Sequence, residues 1–256
     1  MAFNIRQSEI LDLARAEGRV TVEDLARRFG VTLQTIRRDL TDLADAGRLM
    51  RVHGGAVPRG GVANLAYAER RGLNAAAKEA IGRTCAAAIP DMSSLFINIG
   101  TTTEAVARAL LGHRNLTVVT NNLNVANILA ESDSAEVIVA GGLLRRSDSG
   151  LVGDLTKAAI AAFKVDYAII GTSALDQDGD LLDFDSQEVG VSRAIIAHAR
   201  KSFLVADRSK LNRAAPVRIG SLSELAGIFT DAPLPPVLAR RCTDWGCAVH
   251  VAPASV

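Results

Sequence analysis

The sequence predicts two domains of different fold class: an N-terminal winged helix-turn-helix of α+β type, and a larger α/β domain with a mainly parallel sheet. Residues 1–57 combine helical apolar spacing with an Arg-rich composition. Pro58–Gly61 then interrupt regular structure, because proline fixes φ and glycine relaxes it. Beyond residue 76, short β-branched runs alternate with Ala-rich helical stretches. We therefore predict domains over 1–57 and 76–256, joined by a linker over 58–75.

Composition excludes several classes of protein. The 256 residues are 48% hydrophobic, which is too much for a disordered chain, and no apolar run approaches the ~20 residues that span a bilayer. Met1–Arg6 lacks the pattern of a signal peptide. The three cysteines, an odd number without metal-type spacing to histidine, predict free thiols in a reducing compartment. We expect a cytoplasmic protein without a membrane partner, a metal site or a cofactor.

The net charge hides a local basic surface. Lys and Arg total 29 against 28 Asp and Glu, a balance that argues against strong nonspecific binding to phosphate. Residues 27–51, however, hold six arginines against three aspartates. The balance of the whole chain therefore hides a local basic surface over 27–51, within the N-terminal domain.

The first two helices of that domain are predicted from apolar spacing and capping residues. Ile5–Ala16 places its apolar side chains near one face of a helix. Thr21 can cap a second helix, with Asp24 at the third position of an approximate capping box. Gly30 is placed to end that helix.

The third helix begins after Thr32, which can cap it, and runs from Leu33 to about Ala46. Gly47 is placed to end it in a left-handed conformation. Its predicted buried positions, spaced i, i+4 and i+7, are Ile36, Leu40 and Leu43. Two helices joined by a short glycine-containing turn make a helix-turn-helix.

The remaining face of the third helix carries Gln34, Thr35, Arg37 and Arg38. These residue types suit reading of the major groove, since Gln pairs with adenine and Arg with guanine or phosphate. The alternative is a solvated helix face on which Arg37 pairs with an acid such as Asp42.

Residues 48–57 read as two short strands around a glycine turn, which is typical of a wing. Arg51 and His53 would lie near its tip. The order of helix, turn, helix and wing favours DNA binding over a merely solvated face.

The C-terminal domain shows the alternation expected of helices covering both faces of a parallel sheet. The predicted strands are 94–99, 116–120, 136–140, 166–171, 202–206 and 227–230. The predicted helices are 78–89, 104–111, 123–131, 155–163 and 189–199.

Polar and glycine-rich turns follow several of these strands. Gly100, Thr101, Thr102 and Thr103 lie between a strand and a helix, where helix amides can hold a phosphate. Ligands of open α/β sheets collect beyond the carboxyl ends of strands, so these turns can converge on one anion. The other candidate residues at such turns are Asn121, Asn122, Gly141, Gly142, Asp207 and Lys210.

Lys210 would supply charge to a phosphate, and Asp185 and Glu188 would bind hydroxyl groups. The alternatives are ordinary ones. The Gly-Thr-Thr turn also serves simply to cap a helix, and the acidic run around Asp185 also fits a charged loop at a helix start.

Motifs in both domains resemble the DeoR family of bacterial transcription regulators. In the N-terminal domain these are Thr35–Leu40 (TIRRDL), Gly47 and His53–Ala56 (HGGA); in the C-terminal domain, Val119–Asn127 (VTNNLNVAN) and Thr230–Pro233 (TDAP). The resemblance implies that 33–46 is the recognition helix and that 76–232 forms a sensor domain related in fold to ribose-5-phosphate isomerases.

The resemblance also implies a repressor of operator DNA that acts as a dimer or tetramer and is released by a phosphorylated polyol or sugar. The strings are nearest to the branch of the family that responds to glycerol 3-phosphate; fructose 1-phosphate is the alternative effector. Asn98 departs from the family pattern, which has Asp at this position.

Catalysis is the remaining alternative. An isomerase would use Glu188 or Asp185 as general base and Lys210 as phosphate anchor. A sensor joined to a DNA-binding domain gains nothing by consuming its ligand, so we expect no catalytic residues.

Overall fold

The structure, a computed structural model, describes residues 4–17, 20–52, 54–58, 67–211 and 213–253. The chain divides into two compact units, 1–65 and 66–256. The described part of the first unit contains three helices and three short strands: α1 Ile5–Glu17, β1 Val20–Thr21, α2 Val22–Phe29, α3 Leu33–Asp45, β2 Leu49–Val52 and β3 Gly55–Pro58.

The first unit is a winged helix-turn-helix. Its strands form one antiparallel sheet in the order β1-β3-β2, with β2 and β3 meeting around Gly54. The caps lie where the sequence places them: the Thr21 hydroxyl accepts from the Asp24 amide, and Gly30 ends α2 with φ +63°. The predicted wing is thereby confirmed in the described residues.

One apolar cluster holds the first unit together. Ile36, Leu40 and Leu43 are fully buried against α1, α2 and the sheet. Burying such side chains contributes about 1.5–3 kcal/mol each. The spacing of these three residues turns the opposite face of α3 outward.

The second unit is a doubly wound α/β domain. Its helices are α4 Tyr67–Gly72, α5 Ala75–Ala86, α6 Thr101–Ala109, α7 Leu123–Leu129, α8 Asp154–Ala161, α9 Ser186–Ala197 and α10 Pro236–Trp245. Its strands are β4 Ser94–Ile97, β5 Thr117–Thr120, β6 Glu136–Val139, β7 Leu143–Arg145, β8 Gly150–Val152, β9 Val165–Ile170, β10 Ala174–Leu175, β11 Asp180–Asp183, β12 Ala199–Val205, β13 Val217–Ser221, β14 Gly227–Thr230 and β15 Ala248–Val251.

Seven strands form a parallel sheet in the order β15-β14-β12-β9-β4-β5-β6. The chain starts at β4 in the middle, adds β5 and β6 on one side, and then returns to place β9 on the other. The crevice between β4 and β9 is therefore the topological switch point, where open α/β sheets bind ligands.

The sheet separates two apolar cores. Alternate residues of β4 point to opposite faces, so Leu95 and Ile97 pack with α5, α6 and α7, while Phe96 packs with α8, α9 and α10. All six predicted strands and five predicted helices of this domain are present, within a few residues of their expected ends.

Two parts of the second unit depart from the expected arrangement. A three-stranded antiparallel sheet, β10-β11-β13, and the hairpin β7-β8 lie outside the parallel sheet. Residues 67–75 of the predicted linker begin the second unit as α4 and the start of α5. The rest of that linker, 59–66, lies outside the described residues.

Candidate functional site

The cap of α3 fixes where the helix begins and therefore which side chains lie in its first turns. The Thr32 hydroxyl accepts from the Thr35 amide at 3.2 Å and lies 2.9 Å from the Thr35 hydroxyl. The side chains of Gln34, Arg37 and Arg38 then project into solvent from the first turns of the helix. A helix start with exposed Gln and Arg is the part of a helix-turn-helix that contacts base edges.

The two arginines of this face are available for DNA. Among the described residues, no carboxylate lies within 4.0 Å of the Arg37 or Arg38 guanidinium. Asp42, the partner considered for Arg37, instead accepts a hydrogen bond from Gln7. Arg51 of the wing donates to the Arg37 carbonyl at 2.9 Å, which places a third guanidinium beside α3.

An inward-facing acid leaves this surface more basic than its composition suggests. Asp39 is buried and pairs with Arg6 of α1 at 2.6 Å. The predicted DNA contacts within the described residues lie at the surface: Thr32, Gln34, Thr35, Arg37, Arg38 and Arg51. The remaining one, His53, lies outside the described residues.

The second unit has a pocket at the carboxyl ends of β4 and β9. Twelve residues from five parts of the chain line it. They are Arg70, Ile99, Gly100, Thr101, Thr102, Gly171, Thr172, Ser173, Asp183, Glu188, Val205 and Lys210. The pocket thus lies at the switch point of the sheet.

The start of α6 forms the wall of the pocket that is suited to a phosphate. Gly100 precedes the helix with φ +151°, and no side chain caps it. The first turn of a helix leaves amides without intrahelical partners, and these favour an anion. Thr101 and Thr102 line the pocket, whereas the Thr103 hydroxyl donates to the Asn98 and Gly100 carbonyls, each at 2.7 Å.

Lys210 brings a positive charge to the same pocket. Burial lowers the pKa of Lys210 to about 8, although the charge of Asp207 opposes this shift. Burial alone would raise the pKa of Asp207, but the charge of Lys210 and hydrogen bonds from Ser209 hold it below its ordinary value. Asp207 also accepts from Asn74 at 3.1 Å and does not line the pocket, so it acts on the lysine through its charge.

Two carboxylates supply the hydroxyl-suited part of the pocket. Asp183 and Glu188 both line it. Burial raises the pKa of Glu188 to about 7; the charge of Asp183 adds to this rise and Arg145 opposes it. A carboxyl group poised near neutrality both accepts and donates hydrogen bonds, which suits a polyol.

Arg145 organises the acids behind the pocket. It contacts Glu188 at 2.5 Å, Asp185 at 2.9 Å and Asp148 at 2.7 Å. Asp185 caps α9 by accepting from the Gln187 amide at 2.9 Å. It therefore lies next to the pocket wall rather than in it, and its predicted role in effector binding stays a prediction.

Besides Thr103, Asp185 and Asp207, four more predicted ligand residues do not line this pocket. Asn121 and Asn122 follow β5 and pack against β8. Each has one polar atom, Asn121 Oδ1 and Asn122 Nδ2, without a partner among the described residues. Gly141 and Gly142 follow the edge strand β6, two strands from β4. Strand-end turns converge only near the switch point, so turns at the sheet edge lie away from it.

Several residues in the pocket or behind it were missed by sequence reasoning. Gly171, Thr172 and Ser173 follow β9, so the rule applied to the other strand ends would have found them. Arg70 was missed because it lies in the predicted linker. Arg145 is 43 positions from Glu188 and carries no local motif.

Asn98 has a structural position. It is buried, accepts from the Ile99 amide at 2.7 Å and donates to the Ser192 hydroxyl at 2.8 Å. The amide nitrogen therefore joins the end of β4 to α9, while the amide oxygen holds the turn at Ile99. The Asp of the family pattern can make the same contacts if Ser192 becomes the donor.

Family models match both units. The model of the DeoR-like helix-turn-helix domain matches residues 6–58, and that of the DeoR C-terminal sensor domain matches residues 73–232. The chain belongs to the DeoR family. The predicted membership and fold class are thereby confirmed.

Curated relatives of this DeoR-family protein are repressors. The glycerol-3-phosphate regulon repressor of Escherichia coli (strain K12) is 45% identical and covers 93% of this chain and 95% of its own. The repressor of the same name from Haemophilus influenzae is 45% identical over 91% of each chain. The E. coli repressor CsqR is 40% identical over 94% and 92%. The chain is accordingly a DNA-binding transcriptional repressor rather than an enzyme.

A solved structure, ribose 5-phosphate isomerase A from Neisseria gonorrhoeae, has a TM-score of 0.38 at 16% identity, covering 52% of each chain. A likeness this weak carries no inference about activity.

In the part of the chain that the structure describes, no helix is long and apolar enough to cross a membrane, and no three His, Cys, Asp or Glu side chains are grouped to hold a metal ion. The three cysteines are buried free thiols.

Proposed function

We propose that this repressor binds operator DNA through α3 and the wing and is released by glycerol 3-phosphate, which binds the pocket between β4 and β9. One observation carries the choice of ligand class. The pocket combines an uncapped helix start and a half-buried lysine, which suit a phosphate, with Asp183 and Glu188, which suit hydroxyl groups.

Glycerol 3-phosphate has both kinds of group. Its phosphate fits the amides of the Gly100–Thr102 turn and the Lys210 ammonium, since lysine binds phosphate as a point charge. Its two hydroxyl groups fit the carboxyls of Asp183 and Glu188. The names of the relatives from E. coli and H. influenzae favour the same ligand.

Release requires a difference in affinity between two states. The effector shifts the equilibrium only if it binds the DNA-incompetent arrangement more tightly than the competent one. Helix-turn-helix proteins pair two recognition helices with two half-sites of a pseudo-palindrome. We therefore propose that the repressor is a dimer or tetramer in the cytoplasm and that the effector alters the pairing of its half-sites.

A binding assay with a panel of ligands tests this function. The operator is first selected from random-sequence duplex DNA with the full-length protein, and gel shifts are then run with phosphorylated polyols and sugars. Glycerol 3-phosphate should release the DNA at the lowest concentration. Release at the lowest concentration by fructose 1-phosphate would instead identify that compound as the effector. Turnover of a phosphosugar without operator binding would overturn the proposal.

A further inference from the structure

We propose that Arg70 binds the phosphate of the effector and gives up its carboxylate partner, Asp148, when the effector enters the pocket. This inference rests on the proposed function above. Arg70 lines the pocket together with Thr101, Thr102 and Lys210. In the structure its guanidinium contacts Asp148 Oδ2 at 3.2 Å.

Asp148 can lose Arg70 without becoming an unpaired buried charge. Its side chain is only 1% exposed, so losing every partner would leave a buried charge uncompensated and strongly destabilise the fold. Arg145, however, holds both of its oxygens: Nε lies 2.9 Å from Oδ1 and a terminal nitrogen 2.7 Å from Oδ2. The single, longer contact from Arg70 is therefore the exchangeable one.

A phosphate offers Arg70 more than Asp148 does. The guanidinium fork matches two phosphate oxygens at once, and such bidentate pairs are stronger than a single contact. Arg145 donates to both oxygens of Asp148, so Arg70 shares Oδ2 with it, at the longer distance of 3.2 Å. The Arg70 side chain is 18% exposed and already lines the pocket.

The exchange occurs on the helix that begins the sensor unit. Tyr67 of α4 donates to Glu104 of α6 at 2.9 Å, and the Arg70 carbonyl accepts from the Lys78 ammonium. The pair with Asp148 is a third attachment of α4 to the sensor. The chain preceding α4 continues through 59–66 into the DNA-binding unit. Binding of the effector therefore changes a contact made by α4, the helix that directly follows the connecting segment in the sequence.

Four variants of the full-length protein test the exchange: Arg70→Gln, Asp148→Asn, the double variant, and Arg71→Gln as the control. Arg71 is the exposed neighbour on the same helix, so its variant removes the same charge without touching the pocket. Calorimetry with glycerol 3-phosphate and with inorganic phosphate gives the affinities, and gel shifts on the selected operator give release.

Arg70→Gln should weaken glycerol 3-phosphate about tenfold or more, and Arg71→Gln less than about twofold. Asp148→Asn removes the competitor, so it should tighten the effector about fivefold. In the double variant that gain should vanish, because it requires the Arg70 guanidinium. The Arg70→Gln protein should also remain bound to the operator at a glycerol 3-phosphate concentration that saturates its pocket.

A merely structural pair gives the opposite pattern: Asp148→Asn weakens the effector, and the two single effects add. That result, or an unchanged affinity in Arg70→Gln, would overturn the exchange. If Asp148→Asn does not fold, Arg70→Lys provides the test instead. Lysine keeps the positive charge but lacks the guanidinium fork, so this variant should bind glycerol 3-phosphate with an affinity between those of the wild type and Arg70→Gln. Failure of the wild-type protein to bind glycerol 3-phosphate would instead reject the proposed function.

Discussion

Lys210 should make effector binding depend on pH in the mildly alkaline range. Its pKa is about 8 in the folded protein because of burial, well below the ~10.4 of an exposed lysine. The phosphate binds the protonated form. Affinity is therefore full below the pKa and is lost as the pH rises through it.

The size of the effect follows from that value. With a pKa of about 8, the protonated fraction falls from about three-quarters at pH 7.5 to about 3% at pH 9.5, so the Kd should rise about 25-fold. A phosphate monoester is already doubly ionised across this range, since its second pKa is about 6. Starting at pH 7.5 also keeps most of Glu188 ionised, because the pKa of that group is about 7.

Calorimetric titration with glycerol 3-phosphate in half-unit pH steps measures this profile. Lys210→Arg should flatten it, because arginine stays charged throughout, and Lys210→Met should bind about tenfold to hundredfold more weakly at pH 7.5. Glu188→Gln should keep the alkaline fall. A wild-type Kd that is constant from pH 7.5 to 9.5, or the same profile in Lys210→Arg, would refute the role of the lysine.

Four further substitutions probe the two units separately. Arg37→Ala or Arg38→Ala should weaken operator binding and leave effector affinity unchanged; if the lost contact is to phosphate, the salt slope should fall by about 1. Thr102→Val should weaken the effector about fivefold by removing one hydroxyl, with normal operator binding. Gly142→Ala should destabilise the second unit by about 1–3 kcal/mol, because a Cβ there would lie 1.9 Å from the Thr156 hydroxyl oxygen.

Each substitution has a measurement and a control. Gel shifts at several salt concentrations test the arginines, and unchanged shifts in both variants would remove α3 from the DNA interface. Calorimetry tests Thr102→Val, where wild-type affinity would exclude the hydroxyl. Thermal unfolding compares Gly142→Ala with Gly141→Ala, whose Cβ would have no heavy atom within 4 Å; equal Tm values would show that the close approach relaxes at no cost.

Local signals account for the parts of the fold that the sequence predicted well. Thr21, Gly30 and Thr32 act within one turn of their own position, so their helix ends can be read directly from the sequence. The parallel strands carry continuous apolar runs because the sheet is covered on both faces. The start of α6 and Lys210 follow such strands, and the structure places both in one pocket.

Contacts distant in sequence account for what was missed. Asp148 and Glu188 meet through Arg145, and Asn74 reaches Asp207 across 133 positions. No spacing rule predicts such pairs from one sequence. The helix α4 lies beside a Pro- and Gly-rich segment, so composition assigned it to the linker, whereas its contacts assign it to the sensor.

Release of operator DNA by glycerol 3-phosphate is the most direct test of the whole account. The full-length protein is bound to its selected operator at pH 7.5, glycerol 3-phosphate is titrated, and free DNA is measured alongside the calorimetric Kd. The DNA should be released with a midpoint that follows the Kd, shifting upward in Lys210→Met. An operator complex that persists when the pocket is saturated would contradict the account.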